Sequence, residues 1–154
     1  ARVCHMDISL ENILIKGCVF KNGKFVKHGS VSFCDFGLAE YFDKTNPNFI
    51  CSKHVGKTAY QAPEVFSHKS TFDARKGDIW SLGITLFMLQ LFVQPLSIPC
   101  LQDNYFRNII NGYLSKMIHV NNKGKYTSKW CLNIMNLMLT LHNKRANINI
   151  IINT

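Results

Sequence analysis

Between residues 79 and 101 the chain carries no charged side chain, and this stretch limits the fold more than any other. It is long enough to suit a membrane span. Pro95 and Pro99 break its end, however, Gln90 and Gln94 interrupt it, and Gly77-Asp78 opens it in the manner of a capped soluble helix. The expectation is therefore not a transmembrane protein. It is a central helix over about 76–93, fully buried, with Trp80, Leu82, Leu86 and Leu89 in the core.

The remaining segments must wrap this helix. At 154 residues, 47% of them hydrophobic, the chain is the size of one domain with a real core. Arg2-Val3-Cys4 reads as the end of a short strand, 12–15 as a short apolar strand and 31–34 as a second buried strand. Between them Asn22-Gly23 signals a hairpin turn joining 17–20 to 25–27. Residues 37–56 read as irregular. Residues 62–66 suit a short helix with Pro63 in its first turn. Helices are expected near 105–118 and 128–141, separated by a polar turn at 121–125. The tail 147–154 reads as a truncated final helix or a frayed end. Strands first and helices after give an α+β or mainly-α chain, without internal repeats.

Composition excludes several functions. The formal net charge is +9, but the basic residues are scattered and not interleaved with a stacking platform, so no nucleic acid is expected as a partner. The six cysteines form no CxxC pair and the six histidines no HExxH cluster. Reduced, mostly buried thiols are expected, and no zinc site. No secretory leader is expected, because the first residues carry chemistry.

Four motifs follow one another. His5-Met6-Asp7-Ile8-Ser9-Leu10-Glu11-Asn12 places an Asp and an Asn on one loop, the first able to take a proton from an attacking hydroxyl, the second able to offer a carboxamide oxygen to a metal. Asp35-Phe36-Gly37 puts a carboxylate at a strand end, where it can hold Mg²⁺ against triphosphate oxygens while Gly37 lets the backbone bend away. Ala62-Pro63-Glu64 closes the intervening loop, and Asp78-Ile79-Trp80-Ser81-Leu82-Gly83 opens the apolar helix. In this order and context the four motifs resemble the eukaryotic protein kinases, over essentially the whole chain.

That resemblance implies the mainly helical C-terminal lobe of a kinase over residues 1–154. Its parts would be a catalytic loop at 5–12, an activation segment at 35–64, the central helix and C-terminal helices over about 105–154. It implies Asp7 as catalytic base, Asn12 and Asp35 as Mg²⁺ ligands, and Leu14, with Asn12 and Asp35, as contacts for ATP. Thr58 and Tyr60, within 56–62, would shape the site for a protein substrate with a Ser/Thr acceptor. His5 would pack beneath the Asp35-Phe36-Gly37 turn, Asp78 would hold the catalytic loop through backbone N–H groups, and Glu64 would pair with Arg145 as a structural ion pair.

Departures from the family pattern carry their own expectations. Met6 stands where an arginine usually receives the phosphate of a phosphorylated activation loop, so switching through Thr45, Ser52 or Thr58 is not expected. Ser9 stands where serine/threonine kinases usually place a lysine, and Lys57 where they place a threonine. Losing that lysine would slow transfer without abolishing it. The stretches His5–Asn12, Phe36–Phe42 and Gly56–Glu64 together resemble the divergent FIKK-type kinases of intracellular parasites, which implies Ser/Thr phosphorylation and either a cytoplasmic location or export into a host cell. The glycine-rich loop, strand lysine and helix glutamate of the N-terminal lobe have no counterpart here, so the chain alone is expected to be inactive. Two readings stay open: part of an ATP-dependent protein serine/threonine kinase, or a catalytically dead remnant serving as a protein-binding scaffold.

Overall fold

Asp73 starts the central helix. Its side chain accepts a hydrogen bond from Arg75 N, and the helix, α2, runs Ala74–Leu91. The computed structural model describes residues 2–27, 29–120 and 127–154. The helix thus begins earlier than the Gly77-Asp78 pair suggested, because the capping carboxylate is Asp73 and Asp78 lies one turn inside. It ends at Phe92, which takes a left-handed conformation with φ 55°.

Among the described residues eight short strands precede α2. They are β1 (Val3–Cys4), β2 (Ile13–Lys16), β3 (Val19–Lys21), β4 (Lys24–Lys27), β5 (Ser30–Phe33), β6 (Glu40–Tyr41), β7 (Ile50–Cys51) and β8 (Phe72–Asp73). They form four two-stranded antiparallel ladders, β1 with β6, β2 with β5, β3 with β4 and β7 with β8. Asn22 and Gly23, both at positive φ, make the tight turn of the β3–β4 hairpin. The segment 37–56 is less irregular than its composition suggests, since β6 and β7 tie its two ends to the body.

Six helices are described: α1 (Pro63–Phe66), α2, α3 (Asn104–Ile110), α4 (Leu114–Val120), α5 (Lys129–Met138) and α6 (Ile148–Ile152). The single helix expected over 105–118 is two, because Gly112 turns the chain at φ 79°. The expected polar turn at 121–125 lies outside the described residues. The tail forms α6, capped by Asn147. Helices dominate and the strands are short among the described residues, so the architecture is α+β, as expected for a protein-kinase-like fold.

The core packs on one stripe of α2. Trp80, Ile84, Phe87 and Leu91, spaced four, three and four residues apart, are all buried. They meet Phe106, Leu114, Met135 and Leu139 from the later helices. A smaller cluster, Ile79, Ile134, Met138 and Ile151, packs the adjoining face. The helix is not buried on every side. Leu89 is exposed and Leu82 and Leu86 only partly covered, because position 89 projects opposite the stripe.

The β2–β5 ladder departs further from expectation. Leu14 is 43% and Ile15 67% exposed, and across the ladder Val31 and Phe33 are exposed too. Ile15, Val31 and Phe33 share one face of this two-stranded ladder and Leu14 lies on the other, so both faces carry exposed apolar side chains. Cys4, Cys51 and Cys131 are buried free thiols, whereas Cys18, Cys34 and Cys100 are only half-covered. Burial is the main reason the Cys4 thiol is pushed up to about 12, which keeps it protonated and inert. No helix among the described residues is long and apolar enough to cross a membrane.

Candidate active site

The site begins one turn inside α2. The Asp78 carboxylate reaches back to the loop after β1 and accepts hydrogen bonds from two successive amides, His5 N at 2.7 Å and Met6 N at 2.8 Å. Burial raises the Asp78 pKa, and the two amide bonds work against that rise. The clamp holds Met6 at φ 63°, an unfavourable conformation for a side chain with a Cβ. The chain is thereby reversed just before Asp7.

His5 fixes the opposite side of the loop. Its Nε2 lies 2.9 Å from the Cys34 carbonyl and its Nδ1 3.3 Å from Asp7 N. Protonation at Nε2 satisfies both contacts, with Nδ1 accepting from the amide. The ring packs 4.8 Å from that of Phe36 and 5.7 Å from that of Phe33. His5 is buried and fully engaged, so it joins the loop to the end of β5.

Asp7 and Asn12 meet directly. Asn12 Nδ2 donates to the Asp7 carbonyl at 2.8 Å and to Oδ2 at 3.1 Å, which turns the Asn12 carboxamide oxygen away from Asp7. The short 3₁₀ turn Leu10–Asn12 makes this possible by folding the loop back on itself. Asn12 is buried. Its carbonyl accepts from Cys34 N at 3.0 Å, so antiparallel register sets Asp35 one residue beyond Asn12's partner. Asp35 is exposed, with Gly37 N 3.4 Å from Oδ1. The left-handed residue of this turn is Asp35, at φ 59°.

Two oxygen donors, one carboxamide and one carboxylate, form a hard donor set of the kind that suits Mg²⁺. Among the described residues no three His, Cys, Asp or Glu side chains gather to hold a metal by themselves. Such a pair fits an ion whose remaining ligands are waters and substrate phosphates.

The segment 56–64 forms the other wall. Gly56, at φ 93°, passes so close to the loop that a Cβ there would stand 2.6 Å from the Met6 carbonyl. Lys57 then engages Asp7 twice, through its backbone N to Oδ1 at 3.0 Å and its Nζ to Oδ2 at 3.2 Å. The same Nζ lies 3.0 Å from Ser9 Oγ. Thr58 is exposed at the start of the 3₁₀ turn Thr58–Tyr60. Tyr60 is buried, and burial raises its pKa. Its carbonyl accepts from Ser81 Oγ at 2.8 Å and its hydroxyl lies 3.5 Å from Leu10 N. Tyr60 therefore braces the loop 5–12 against α2.

Glu64 and Arg145 lie behind this wall, away from the cluster around Asp7. The guanidinium meets both carboxylate oxygens, at 2.6 and 3.2 Å, with both side chains almost wholly buried. Arg145 also donates to the carbonyls of Lys76 and Thr140, and its guanidinium lies 5.0 Å from the Trp80 ring centroid. Burial pulls its pKa down, and Glu64 opposes that pull. Leu14 stands exposed on β2, two residues after Asn12.

Sequence reasoning placed no functional weight on Lys57 as a partner of Asp7. The available signal was a pair of replacements, Ser9 lacking the usual charge and Lys57 carrying an unexpected one.

The profile described as protein kinase domain matches residues 1–154. Serine/threonine-protein kinase SAPK1 of Oryza sativa subsp. japonica is 36% identical over 114 residues, 74% of this chain and 30% of that protein. Serine/threonine-protein kinase CHK1 of Saccharomyces cerevisiae is 34% identical over 105 residues, 68% of this chain and 18% of that protein. CBL-interacting serine/threonine-protein kinase 15 of Arabidopsis thaliana is 36% identical over 87 residues, 56% of this chain and 18% of that protein. The chain thus spans under a third of the length of these relatives. With a family match from end to end, and a loop, turn and helix assembled around Asp7, Asn12 and Asp78, the chain belongs to the eukaryotic protein kinase family.

Proposed function

We propose that this chain is the C-terminal lobe of an ATP-dependent protein kinase that transfers the γ-phosphate of ATP to Ser or Thr of protein substrates. The observation that carries the reading is the Asp7–Asn12 contact, built on a loop that Asp78 clamps from α2. A drifting scaffold would have no need to keep that geometry intact around a partly open carboxylate.

In this reading residues 5–12 are the catalytic loop and 35–64 the activation segment. Asp7 accepts a hydrogen bond from the acceptor hydroxyl and takes its proton as the oxygen attacks. Mg²⁺, when bound, would neutralise charge on the triphosphate, and Asn12 Oδ1 and the Asp35 carboxylate are the groups that would hold it. Leu14 offers an apolar floor for adenine. The exposed Ile15, Val31 and Phe33, on the opposite face of the β2–β5 ladder, form a further apolar surface suited to cover by an N-terminal lobe. Thr58 and the neighbouring wall would face the acceptor peptide, with Tyr60 bracing it. The names of the relatives support Ser/Thr acceptors. The FIKK-type reading, with its host-cell export, rests on the motif wording alone.

The test is phosphate transfer from ATP to a Ser/Thr peptide library by the full-length protein. Transfer should need Mg²⁺, and Asp35→Asn should raise the Mg²⁺ concentration needed for half-maximal rate. An Mg²⁺-independent rate, or no transfer to Ser/Thr by the intact protein, would overturn the reading.

A further inference from the structure

We infer that Lys57 supplies the positive charge at the phosphoryl-transfer site, delivering from the activation segment a cation that the catalytic loop lacks; this rests on the kinase reading above. Lys57 holds Asp7 by two different groups of one residue, its amide on Oδ1 and its ammonium on Oδ2. A surface ion pair needs only the second contact. The additional amide bond fixes the Lys57 backbone to the carboxylate and leaves the side chain to place its charge. Ser9, fully buried, holds the ammonium from the other side at 3.0 Å. The ammonium therefore has a defined position between two residues of the catalytic loop.

That position is open to substrate. The Lys57 side chain is 41% exposed and Asp7 11% exposed, so both border solvent at one mouth. A hydroxyl hydrogen-bonded to Asp7 Oδ2 comes within about 6 Å of the ammonium, two hydrogen-bond lengths away. A phosphoryl group arriving at that hydroxyl comes closer still. In the transfer the acceptor oxygen bonds to the γ-phosphorus as the bond to the ADP oxygen breaks, and the hydroxyl proton passes to Asp7. Lys57 neither gains nor loses a proton. Its fixed charge offsets the negative charge on the moving group and releases Asp7 from its own ion pair as it does so.

No other lysine among the described residues bonds Asp7, and Lys53 on the same segment turns away to Glu40. Because Lys57 belongs to the 35–64 segment, the charge is in place only when that segment lies against the loop. This ties the conformation of the segment to transfer without a phosphorylated residue.

The experiment compares Lys57→Met and Lys57→Arg with the wild type in the full-length protein, measuring kcat, KM for ATP and thermal unfolding. Lys57→Met should lower kcat about 10²- to 10³-fold, the cost of losing one placed donor at a site of developing charge. KM for ATP should stay within about threefold, since the lysine acts on the transferred group. Lys57→Arg keeps the charge and should retain a tenth or more of kcat, and Lys53→Met should change it less than about twofold. A Lys57→Met kcat within threefold of wild type would overturn the inference. So would a Lys57→Arg protein that melts normally but is as slow as Lys57→Met. A wild type without transfer would instead overturn the kinase reading itself.

Discussion

Two carboxylate–cation pairs stand on opposite sides of the 56–64 segment, and their chemistry is the same while their surroundings are not. Glu64 and Arg145 are sealed, with side chains 3% and 0% exposed, and every remaining guanidinium contact goes to a backbone carbonyl or the Trp80 ring. Asp7 and Lys57 sit at a mouth, with the lysine nearly half exposed. A sealed pair has no substrate to meet, and its energy goes into holding the segment to α2 and the chain after α5. An open pair at 3.2 Å adds little to stability, because solvent screens it, and it remains free to exchange partners. On the proposed reading, position in the fold separates a structural pair from a working one.

Breaking the sealed pair should give the largest change. Arg145→Met leaves the Glu64 carboxylate buried without its cation, which should cost about 3–5 kcal/mol in urea unfolding. For a chain of this size that is roughly a 10 °C fall in melting temperature. Activity in the fraction that remains folded should change far less than stability. If Arg145→Met melted like the wild type, the contrast between the pairs would fail.

A smaller change tests the floor beneath the open pair. The Asp78 pKa is raised by burial, so its ionised form is disfavoured in the folded chain. The sign follows directly: the stability it contributes is present below the ordinary carboxylate value and is lost as pH rises through the raised one. Unfolding free energies of wild type and Asp78→Asn, measured across that acid window, should therefore converge or cross in favour of the variant as pH rises. A gap independent of pH would mean that Asp78 is as well solvated folded as unfolded.

The smallest effect is expected at Thr45. Thr45 N and Oγ1 both donate to Asp43 Oδ1, and the Arg2 guanidinium is already spent on the carbonyls of Phe42, Asp43 and Asn46. Thr45→Asp would add a charge beside Asp43 with no free arginine to receive it. Transfer rate should change less than about twofold, and stability less than about 0.5 kcal/mol. Strong activation would show that the segment has a second arrangement answering to phosphate.

The parts legible from sequence were those whose meaning is local. Asp7 and Asn12 lie five residues apart, and a loop that short can hardly avoid bringing them together. The helix α2 was legible too, but its buried stripe was not: Leu82, Leu86 and Leu89 were expected in the core beside Trp80, because a run without charges carries no polar face to mark the outer side. What failed needed knowledge of distant partners. Gly77-Asp78 read as the opening of α2, whereas Asp73 caps it and the Asp78 carboxylate is engaged by His5 and Met6, more than 70 residues earlier. The apolar strands β2 and β5 read as buried because composition reports hydrophobicity and not what covers it. Gly112 is a local signal that was passed over, and it splits the expected helix into α3 and α4. Lys57 was out of reach because its contacts with Ser9 and Asp7 span 48 and 50 residues.

The central claim is that the open carboxylate does chemistry and the sealed one holds the fold. Asp7→Asn in the full-length protein tests it most directly, with transfer rate and unfolding midpoint measured on one preparation. The account predicts a kcat lower by about 10²- to 10⁴-fold and an unfolding free energy within about 1 kcal/mol of wild type. An unchanged kcat, or a loss of activity matched by a loss of folded protein, would contradict it.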